Sequence, residues 1–173
     1  MDIQFEKLTQ PNAETAGSIS RWENDPALIH FIRPNRDQAA LDKTETVTVK
    51  VLEERLQHSQ MYLIFLQDQL VGAMDFQIDP KHLYKKDMRT AWIGIVIGEE
   101  IARGRGIGYL ALQHLEKEIS AQGLKRIELG VFEFNTHAIK LYRKAGYQEI
   151  GRIPDFTYWQ GKLWQDIRME KLM

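Results

Sequence analysis

Residues 103–108 read Arg-Gly-Arg-Gly-Ile-Gly, and this glycine-rich segment constrains the fold more than any other part of the sequence. It follows residues 90–97, which predict a central strand because both faces of the strand are apolar. It precedes residues 109–121, where apolar side chains recur at helical spacing. A further apolar strand follows at residues 126–132, so this order predicts a crossover between two parallel strands.

The glycine segment has the composition of an anion-binding turn. Its three glycines alternate with other residues, leave backbone N–H groups uncovered and permit positive φ. Successive N–H groups in such a turn, followed by the positive end of a helix dipole, bind phosphate groups. Arg103 and Arg105 add positive charge. We therefore predict a diphosphate ligand, since a plain turn would need only one or two glycines.

The same segment allows a second interpretation as a dinucleotide site. Residues 106–111 match the fingerprint G-x-G-x-x-A, and Glu128 lies near the expected acidic position. Against this, residues 98–105 separate the fingerprint from its strand, and only 62 of the 173 residues follow Ala111. The Walker pattern ending in Gly-Lys-Ser/Thr is absent, so a nucleotide hydrolase is not expected.

The rest of the chain predicts a single domain of the α+β (mixed α/β) class. The other predicted elements are a strand near residues 3–8, a helix at 12–24, a helical stripe at 37–58, a hairpin at 61–76, a helix at 137–145, and closing strands at 147–153 and 166–172 around a loop rich in Trp and Gly. Antiparallel hairpins come before the crossover, so the sheet is mixed and not doubly wound. A length of 173 residues suits one domain over 1–173.

Composition excludes several functional classes. The net charge of −1 provides no basic field for nucleic acid, and the absence of cysteine removes disulfides and thiolate zinc sites. The N-terminus lacks the pattern of a signal peptide, and no run approaches the ~20 apolar residues that span a bilayer. We expect a soluble, cytoplasmic protein without a metal, a membrane or a nucleic-acid partner.

Two motifs in this chain together resemble the GNAT superfamily of N-acetyltransferases. Arg103, Gly106 and Gly108 match its pyrophosphate signature Gln/Arg-x-x-Gly-x-Gly/Ala. Residues 135–147 match its block Asn-x-x-Ala-x-x-x-Tyr-x-x-x-Gly-Phe, with Tyr in the final position. Residues 158–170 also resemble the tail of members that acetylate polyamines or ribosomal-protein N-termini.

The resemblance implies an acyl-CoA N-acyltransferase fold, a splayed sheet with pantetheine held between residues 93–97 and 126–132. The cofactor core would span about 90–147, and the acceptor side would lie mainly in residues 1–60. The implied cofactor residues are Ile95, Val96, Ile97, Arg103, Gly104, Arg105, Gly106, Ile107, Gly108, Asn135 and Lys144. Asn135 is equally explained as a helix N-cap, and the two roles are compatible.

The implied function is transfer of the acetyl group of acetyl-CoA to a primary amine, by direct attack through a tetrahedral intermediate. The acceptor would be a small-molecule amine, a polyamine or a protein N-terminus, and a homodimer is left open. Tyr142 matches the family's proton donor to the leaving thiolate, although a lone aromatic at this spacing would usually be core. A non-catalytic acyl-CoA sensor and the dinucleotide enzyme are the alternative functions.

No residue stands out in the sequence as the base that activates the amine. The acid–base candidates are Asp75, Glu99, Glu100, Glu133 and His137, and the amine-capture candidates are Glu23, Asp25, Glu53 and Glu54. Trp22, Trp92, Trp159 and Trp164 line an acceptor pocket or, in the interpretation we favour, pack in the core and its rim. Lys81, Lys85, Lys86 and Arg89 meet the 3′-phosphate of the cofactor or, as we favour, form a solvated loop.

Overall fold

A computed structural model describes all 173 residues of the chain. The strands are β1 (Ile3–Lys7), β2 (Gln60–Leu66), β3 (Gln69–Ile78), β4 (Thr90–Ile97), β5 (Arg126–Phe132), β6 (Gln148–Trp159) and β7 (Lys162–Leu172). The helices are α1 (Ala13–Glu23), α2 (Ile29–Ile32), α3 (Gln38–Asp42), α4 (Val49–Arg55), α5 (Ile107–Ala121) and α6 (Thr136–Lys144), with a 3-10 turn at Glu100–Ala102. None of these helices has both the length and the apolar character needed to cross a membrane.

The strands form one sheet in the order β1-β2-β3-β4-β5-β7-β6. β4 and β5 are parallel, and every other neighbouring pair is antiparallel. A parallel pair requires a crossover connection, which α5 provides. The predicted α+β class, the mixed sheet and the central strand at residues 90–97 are therefore confirmed. The dinucleotide alternative is wrong, because it requires a mostly parallel sheet.

Side chains along every strand alternate between the two faces of the sheet. Both faces carry apolar side chains, and a layer of helices covers each of them. One face packs against α5 and α6 in a core of 22 buried residues that includes Met74, Ile93 and Leu129. The other packs against α1 and α4 in a core of 9 buried residues that includes Trp22 and Leu63. We call these the α5 face and the α1 face.

The predicted helical stripe at residues 37–58 is wrong in its middle. The structure has two short helices, α3 and α4, separated by residues 43–48. Three threonines and a valine in this segment are β-branched, which disfavours a helix. The N–H of Val47 donates to Ser20 Oγ (3.0 Å), and the Thr48 side chain caps α4. Docking onto α1 therefore overrides the helical spacing.

The loop predicted between the closing strands is also wrong, because β6 and β7 continue through it as one long hairpin. The turn consists of Gln160 and Gly161, with φ of 50° and 79°, as in a tight hairpin turn. The register shifts between Ile153 and Thr157, where Asp155 has φ of 51°. The aromatic residues of this hairpin pack against α2, a tertiary contact that the local pattern could not reveal.

Candidate functional site

The parallel strands β4 and β5 separate after three residue pairs, and we call the opening between them the fork. Their pairing ends at Trp92 and Glu128. β4 remains paired with β3 as far as Ile97, and β5 remains paired with β7 as far as Phe132. The fork is therefore bordered by two strand edges without a strand partner, as the splayed sheet of the sequence prediction requires.

Alternation along β4 decides which backbone groups face the fork. The carbonyl of Thr90 accepts from the N–H of Asp79 (2.9 Å), and the N–H of Gly98 donates to the carbonyl of Val71 (2.9 Å). Both even-numbered positions thus bond toward β3. Because hydrogen-bonding direction alternates along a strand, the odd-numbered residues of β4 present their backbone groups to the fork.

The predicted backbone ligands on β4 divide according to this alternation. Ile93, Ile95 and Ile97 are the odd-numbered residues beyond the last β5 pair, so their N–H and C=O groups border the fork. Val96 pairs with Ala73 and directs its backbone groups to β3. The backbone groups of Ile95 and Ile97 therefore border the fork as the prediction requires, whereas those of Val96 are engaged by β3.

The glycine segment forms a set of free backbone donors at the start of α5, which we call the donor loop. No protein acceptor bonds to any of the five N–H groups from Gly104 to Gly108. Gly104 and Gly106 have φ of 69° and 79°, a region that side chains avoid. A Cβ at either position would meet no atom within 4 Å. Free donors at the N-terminus of a 15-residue helix fit a diphosphate.

The two arginines of the segment have different surroundings. Arg103 turns back onto β4, where its Nε donates to the carbonyl of Ile97 (3.2 Å) and its Nη2 donates to the carbonyl of Gly98. It also lies 3.9 Å from Asp25. Arg103 thus ties the loop to the end of β4. Arg105 is exposed and makes one long hydrogen bond of 3.5 Å, so its guanidinium is free to meet a ligand.

Helix α6 carries the predicted residues of the second motif. Asn135 accepts a hydrogen bond from the N–H of Ala138 (3.3 Å) and is the N-cap of α6. The ammonium of Lys144 lies 5.4 Å from the centre of the Tyr109 ring, in the first turn of α5. Tyr142 packs against the core of the α5 face. Burial alone raises the pKa of Tyr142 to about 12, so its hydroxyl is a proton donor at neutral pH.

On the α1 face, two glycines border the fork and a carboxylate lies over each of them. A Cβ on Gly94 of β4 would lie 2.9 Å from Asp75 Oδ1 of β3. A Cβ on Gly130 of β5 would lie 2.7 Å from Asp166 Oδ2 of β7 and 3.0 Å from the Trp92 ring. The chain therefore brings two carboxylates to the side of the fork opposite α6.

Burial raises the pKa of both carboxyl groups, because a charge is poorly solvated there. Hydrogen bonds act in the opposite direction. Asp75 accepts from Ser59 Oγ (2.7 Å), and Asp166 accepts from Arg168 Nε (2.7 Å). Asp75 was one of the acid–base candidates of the sequence, whereas Asp166 was missed.

The other acid–base candidates have no place at the fork. Glu99 accepts hydrogen bonds from Trp22 Nε1 (2.8 Å) and from the guanidinium of Arg21 (2.7 Å), which fixes it structurally. Glu100 and His137 are exposed. Glu133 is half-buried and accepts a long hydrogen bond of 3.4 Å from the N–H of Gln165.

The amine-capture candidates near the N-terminus are also occupied or exposed. Glu23 is bound by both terminal nitrogens of Arg55 (2.6 and 3.0 Å). Asp25 accepts from the N–H of Ala27 (2.8 Å), and Glu53 and Glu54 are exposed on α4. None of the four carboxylates lies free over the fork.

Three of the four tryptophans pack away from the fork. Trp22 is buried in the smaller core, where its ring covers Gly98. Trp159 and Trp164 join an aromatic cluster that holds the β6–β7 hairpin against α2, with His30 stacked on Trp159 at 4.3 Å. Trp92 alone lies at the fork, so the packing interpretation applies to the other three.

A buried charge network on the α1 face holds the loop between β3 and β4, and the sequence reasoning missed it. Glu128 is fully buried and pairs with Arg126 and with Arg168. Its carboxylate also accepts from the N–H groups of Tyr84 and Lys85 in that loop. Charged residues two apart on β5 were a usable signal, because they fall on one face of the strand.

Three of the four basic residues of this loop make hydrogen bonds or ion pairs at the surface. Lys85 pairs with Glu170, the guanidinium of Arg89 donates to the carbonyl of Gly123 (2.6 Å), and Lys86 donates to the carbonyl of Lys81. All four side chains are exposed, as the solvated-loop interpretation expects.

Comparisons with known proteins agree with this geometry. A family model described as "Acetyltransferase (GNAT) family" matches residues 19–147. The spermine/spermidine N(1)-acetyltransferase of Bacillus subtilis is 30% identical over 95 residues, 54% of this chain and 62% of that protein, so the match leaves over a third of that relative uncovered.

Two solved structures share the fold over nearly the whole chain. The ribosomal-protein-alanine N-acetyltransferase of Brucella melitensis has a TM-score of 0.77 and 17% identity, covering 98% of this chain and 99% of that one. The spermidine N-acetyltransferase of Vibrio cholerae, solved with CoA and spermine, has a TM-score of 0.75 and 17% identity, covering 98% and 95%.

Proposed function

The chain belongs to the acetyltransferase (GNAT) family, and we propose that it transfers the acetyl group of acetyl-CoA to a primary amine. The observation that carries this proposal is the donor loop at one end of the fork, with five N–H groups free. A CoA thioester has both chemical parts that these features suit. Its diphosphate matches the donor loop, and its amide-containing pantetheine arm matches a strand edge.

In this proposal the chain's backbone provides most of the cofactor binding. The N–H groups of Gly104 to Gly108 bind the diphosphate, with Arg105 adding charge. The backbone groups of Ile95 and Ile97 pair with the pantetheine amides as they would pair with a neighbouring strand. Asn135 and Lys144 complete the predicted set from α6. The glycines matter because a side chain on Gly104 or Gly106 would stand where the phosphates approach.

Tyr142 is the proposed proton donor to the leaving sulfur. With a pKa of about 12 its hydroxyl is protonated at every pH at which the amine is attacked. A thiol is a stronger acid, with a pKa near ~8.5. The hydroxyl therefore contributes most in the transition state, where it donates a hydrogen bond as charge develops on sulfur. This role is consistent with its lack of any partner that shifts its pKa other than burial.

The amine is proposed to approach from the α1 face, because the carboxylates of Asp75 and Asp166 lie over Gly94 and Gly130 there, beside the fork. The named activities of similar proteins, on spermine, spermidine and ribosomal-protein alanine, indicate polyamines and protein N-termini as the acceptors to test. An amine of pKa around 10.4 is neutral in roughly one molecule per thousand at pH 7, whereas an α-amino group is neutral in roughly a tenth. A polyamine thus has the greater need of a protein base.

Two measurements test the proposal in sequence. Isothermal titration should detect CoA binding to the purified chain, and NAD under the same conditions should give no heat. A thiol-release assay with acetyl-CoA then compares spermidine, spermine, a lysine peptide and an alanine-ended peptide. We expect turnover with at least one amine above the rate without acceptor. CoA binding with no turnover across this panel would favour the acyl-CoA sensor, and absent CoA binding would refute the cofactor assignment.

A further inference from the structure

The space of the missing side chain at Gly94 is occupied by a carboxylate from the neighbouring strand. Gly94 lies beyond the last β4–β5 pair, so it borders the fork. A Cβ on Gly94 would point to the α1 face, toward Asp75. Asp75 Oδ1 lies 2.9 Å from the point where a Cβ of residue 94 would stand. We propose that Asp75 is the general base that takes the proton from the acceptor amine, an inference that rests on the proposed function.

The hydrogen bonds of Asp75 leave one oxygen available. Oδ2 accepts from Ser59 Oγ (2.7 Å), while Oδ1 accepts from no protein donor and is the oxygen over Gly94. No cation lies within ion-pair distance of Asp75. The charged groups that act on it from the packed helices are Arg55 of α4 and Glu23 of α1, and these two are bound to each other. The Asp75 carboxylate is therefore not held by a salt bridge and can accept a proton.

Burial raises the pKa of Asp75 above the ordinary value, and the Ser59 hydrogen bond and the charge of Arg55 lower it again in part. A carboxyl group with a raised pKa is a better proton acceptor than a solvated one, because the optimal base titrates nearer the working pH. Asp166, the other carboxylate at the fork, differs here. Arg168 Nε is bonded directly to it, which holds that carboxylate in the charge network.

A groove lies beside the serine that holds Asp75. Ser59, which holds Asp75, also lines a groove of about 600 Å³ together with Gln77 and His82. The groove lies on the α1 face beside the end of β3. The Ser59 hydroxyl therefore lies between the Asp75 carboxylate and this groove.

The step balances with the groups named. Asp75 Oδ1 takes a proton from the ammonium and releases it to solvent at the fork after the acetylated amine has left. The freed nitrogen lone pair forms the C–N bond to the acetyl carbon, the C–S bond breaks, and its electron pair goes to sulfur. The Tyr142 hydroxyl protonates that sulfur, and the second nitrogen proton returns through solvent to restore Tyr142. The products are the acetylated amine, CoA thiol and one released proton.

The test compares Asp75→Asn with Asp166→Asn as a matched control, using the amine of the panel that the wild type acetylates fastest. We expect Asp75→Asn to lower kcat/KM by about 10²–10³ with CoA affinity unchanged. Asp166→Asn should change kcat/KM by less than about tenfold in the folded protein. Equal activity of wild type and Asp75→Asn, or a larger loss in Asp166→Asn, would overturn the assignment of the base while wild-type turnover still supports the proposed function.

A second variant tests the base without altering its carboxylate. Ser59→Ala removes a donor that favours the charged form, so the pKa of Asp75 should rise further. The base is active when deprotonated, and the acidic limb of the kcat/KM profile should therefore move to higher pH. An unmoved limb in Ser59→Ala would count against Asp75 even if Asp75→Asn failed to fold.

Discussion

The two faces of β5 are built from different chemistry although both are buried. On the α5 face, Ile127 and Leu129 are fully buried among apolar neighbours. On the α1 face, Arg126 and Glu128 are 2% and 0% exposed and bonded to each other. The first face gains from removing apolar surface from water, and the second loses solvation that its ion pairs must replace.

This difference between the two faces of β5 shows where the fold can keep polar side chains available for chemistry. An apolar face has few polar atoms to offer, and the proposed proton donor on it is the hydroxyl of Tyr142. The charged face already has donors and acceptors fixed by neighbours, so it can place carboxylates such as Asp75 beside the fork. Stability therefore depends on both faces, whereas the proposed acid and the proposed base lie on opposite faces.

The largest expected effect concerns the Tyr142 hydroxyl on the apolar face. Tyr142→Phe keeps the ring and its packing and removes the proton donor. We expect kcat to fall by about 10²–10⁴, with little change in the KM for acetyl-CoA. The free energy of unfolding should change by no more than roughly 1 kcal/mol, because no hydrogen bond of the hydroxyl is lost. Unchanged kcat, measured where chemistry limits turnover, would make Tyr142 an ordinary core residue.

The next effect compares the two faces directly through adjacent residues. Glu128→Gln leaves Arg126 and Arg168 without their shared carboxylate and should cost about 3–5 kcal/mol in urea unfolding. Leu129→Ala on the opposite face should cost about 2–5 kcal/mol through lost burial and a cavity. A cost below ~1 kcal/mol for Glu128→Gln would mean that the charged face behaves as solvated surface, and the contrast would fail.

A smaller effect is expected at the donor loop, which leads into α5 on the apolar face and is the proposed binding site of the CoA diphosphate. Gly106→Ala should weaken CoA binding about tenfold or more, because a methyl group would stand in the phosphate approach. Gly161→Ala in the β6–β7 turn is the matched control, since both glycines have φ of 79° and no atom within 4 Å of an added Cβ. Both variants should lose about 1 kcal/mol of stability from backbone strain, and titration calorimetry should separate them.

The smallest effect is a pH-dependent gain in stability from removing the proposed base. The folded pKa of Asp75 is raised above its unfolded value, so its ionisation favours unfolding. The stability that this group contributes is complete below the unfolded pKa and is lost as pH rises through the folded pKa. Asp75→Asn should therefore melt higher than wild type at pH 7, and the gap should close toward pH 4. A gap of opposite sign at pH 7 would show that the carboxylate is stabilised in the fold.

Much of the cofactor side could be predicted from the sequence because its signals are local. The strand at 90–97, the glycines of the donor loop and the Asn135 cap each depend on neighbouring residues. The β6–β7 hairpin could not be predicted, since its aromatic residues are ordered by contact with α2. The buried charge network could not be predicted either, since it joins Arg126 and Glu128 of β5 to Arg168 of β7.

Asp75 shows the same limit at the candidate site. The sequence included it among five acid–base candidates of equal standing, and only the β3–β4 register brings it over Gly94. Asp166 was missed because its position depends on pairing between β5 and β7, nearly forty residues apart in the chain. Sequence spacing thus identified the proposed backbone ligands, but it did not single out carboxylates that strand pairing brings to the fork.

The fork also divides the sheet into two halves. Four strands lie on one side of it and three on the other, and three residue pairs join them directly. Under the proposed function, acetyl-CoA acts as an eighth strand that completes the ladder only when both halves are in place. Such a ligand binds the native chain and not the unfolded one, and at a hundred times its Kd it adds about 2.7 kcal/mol. The concentration of acetyl-CoA would then determine how well this chain resists proteolysis. The lifetime of the protein would depend on how much acetyl-CoA is present.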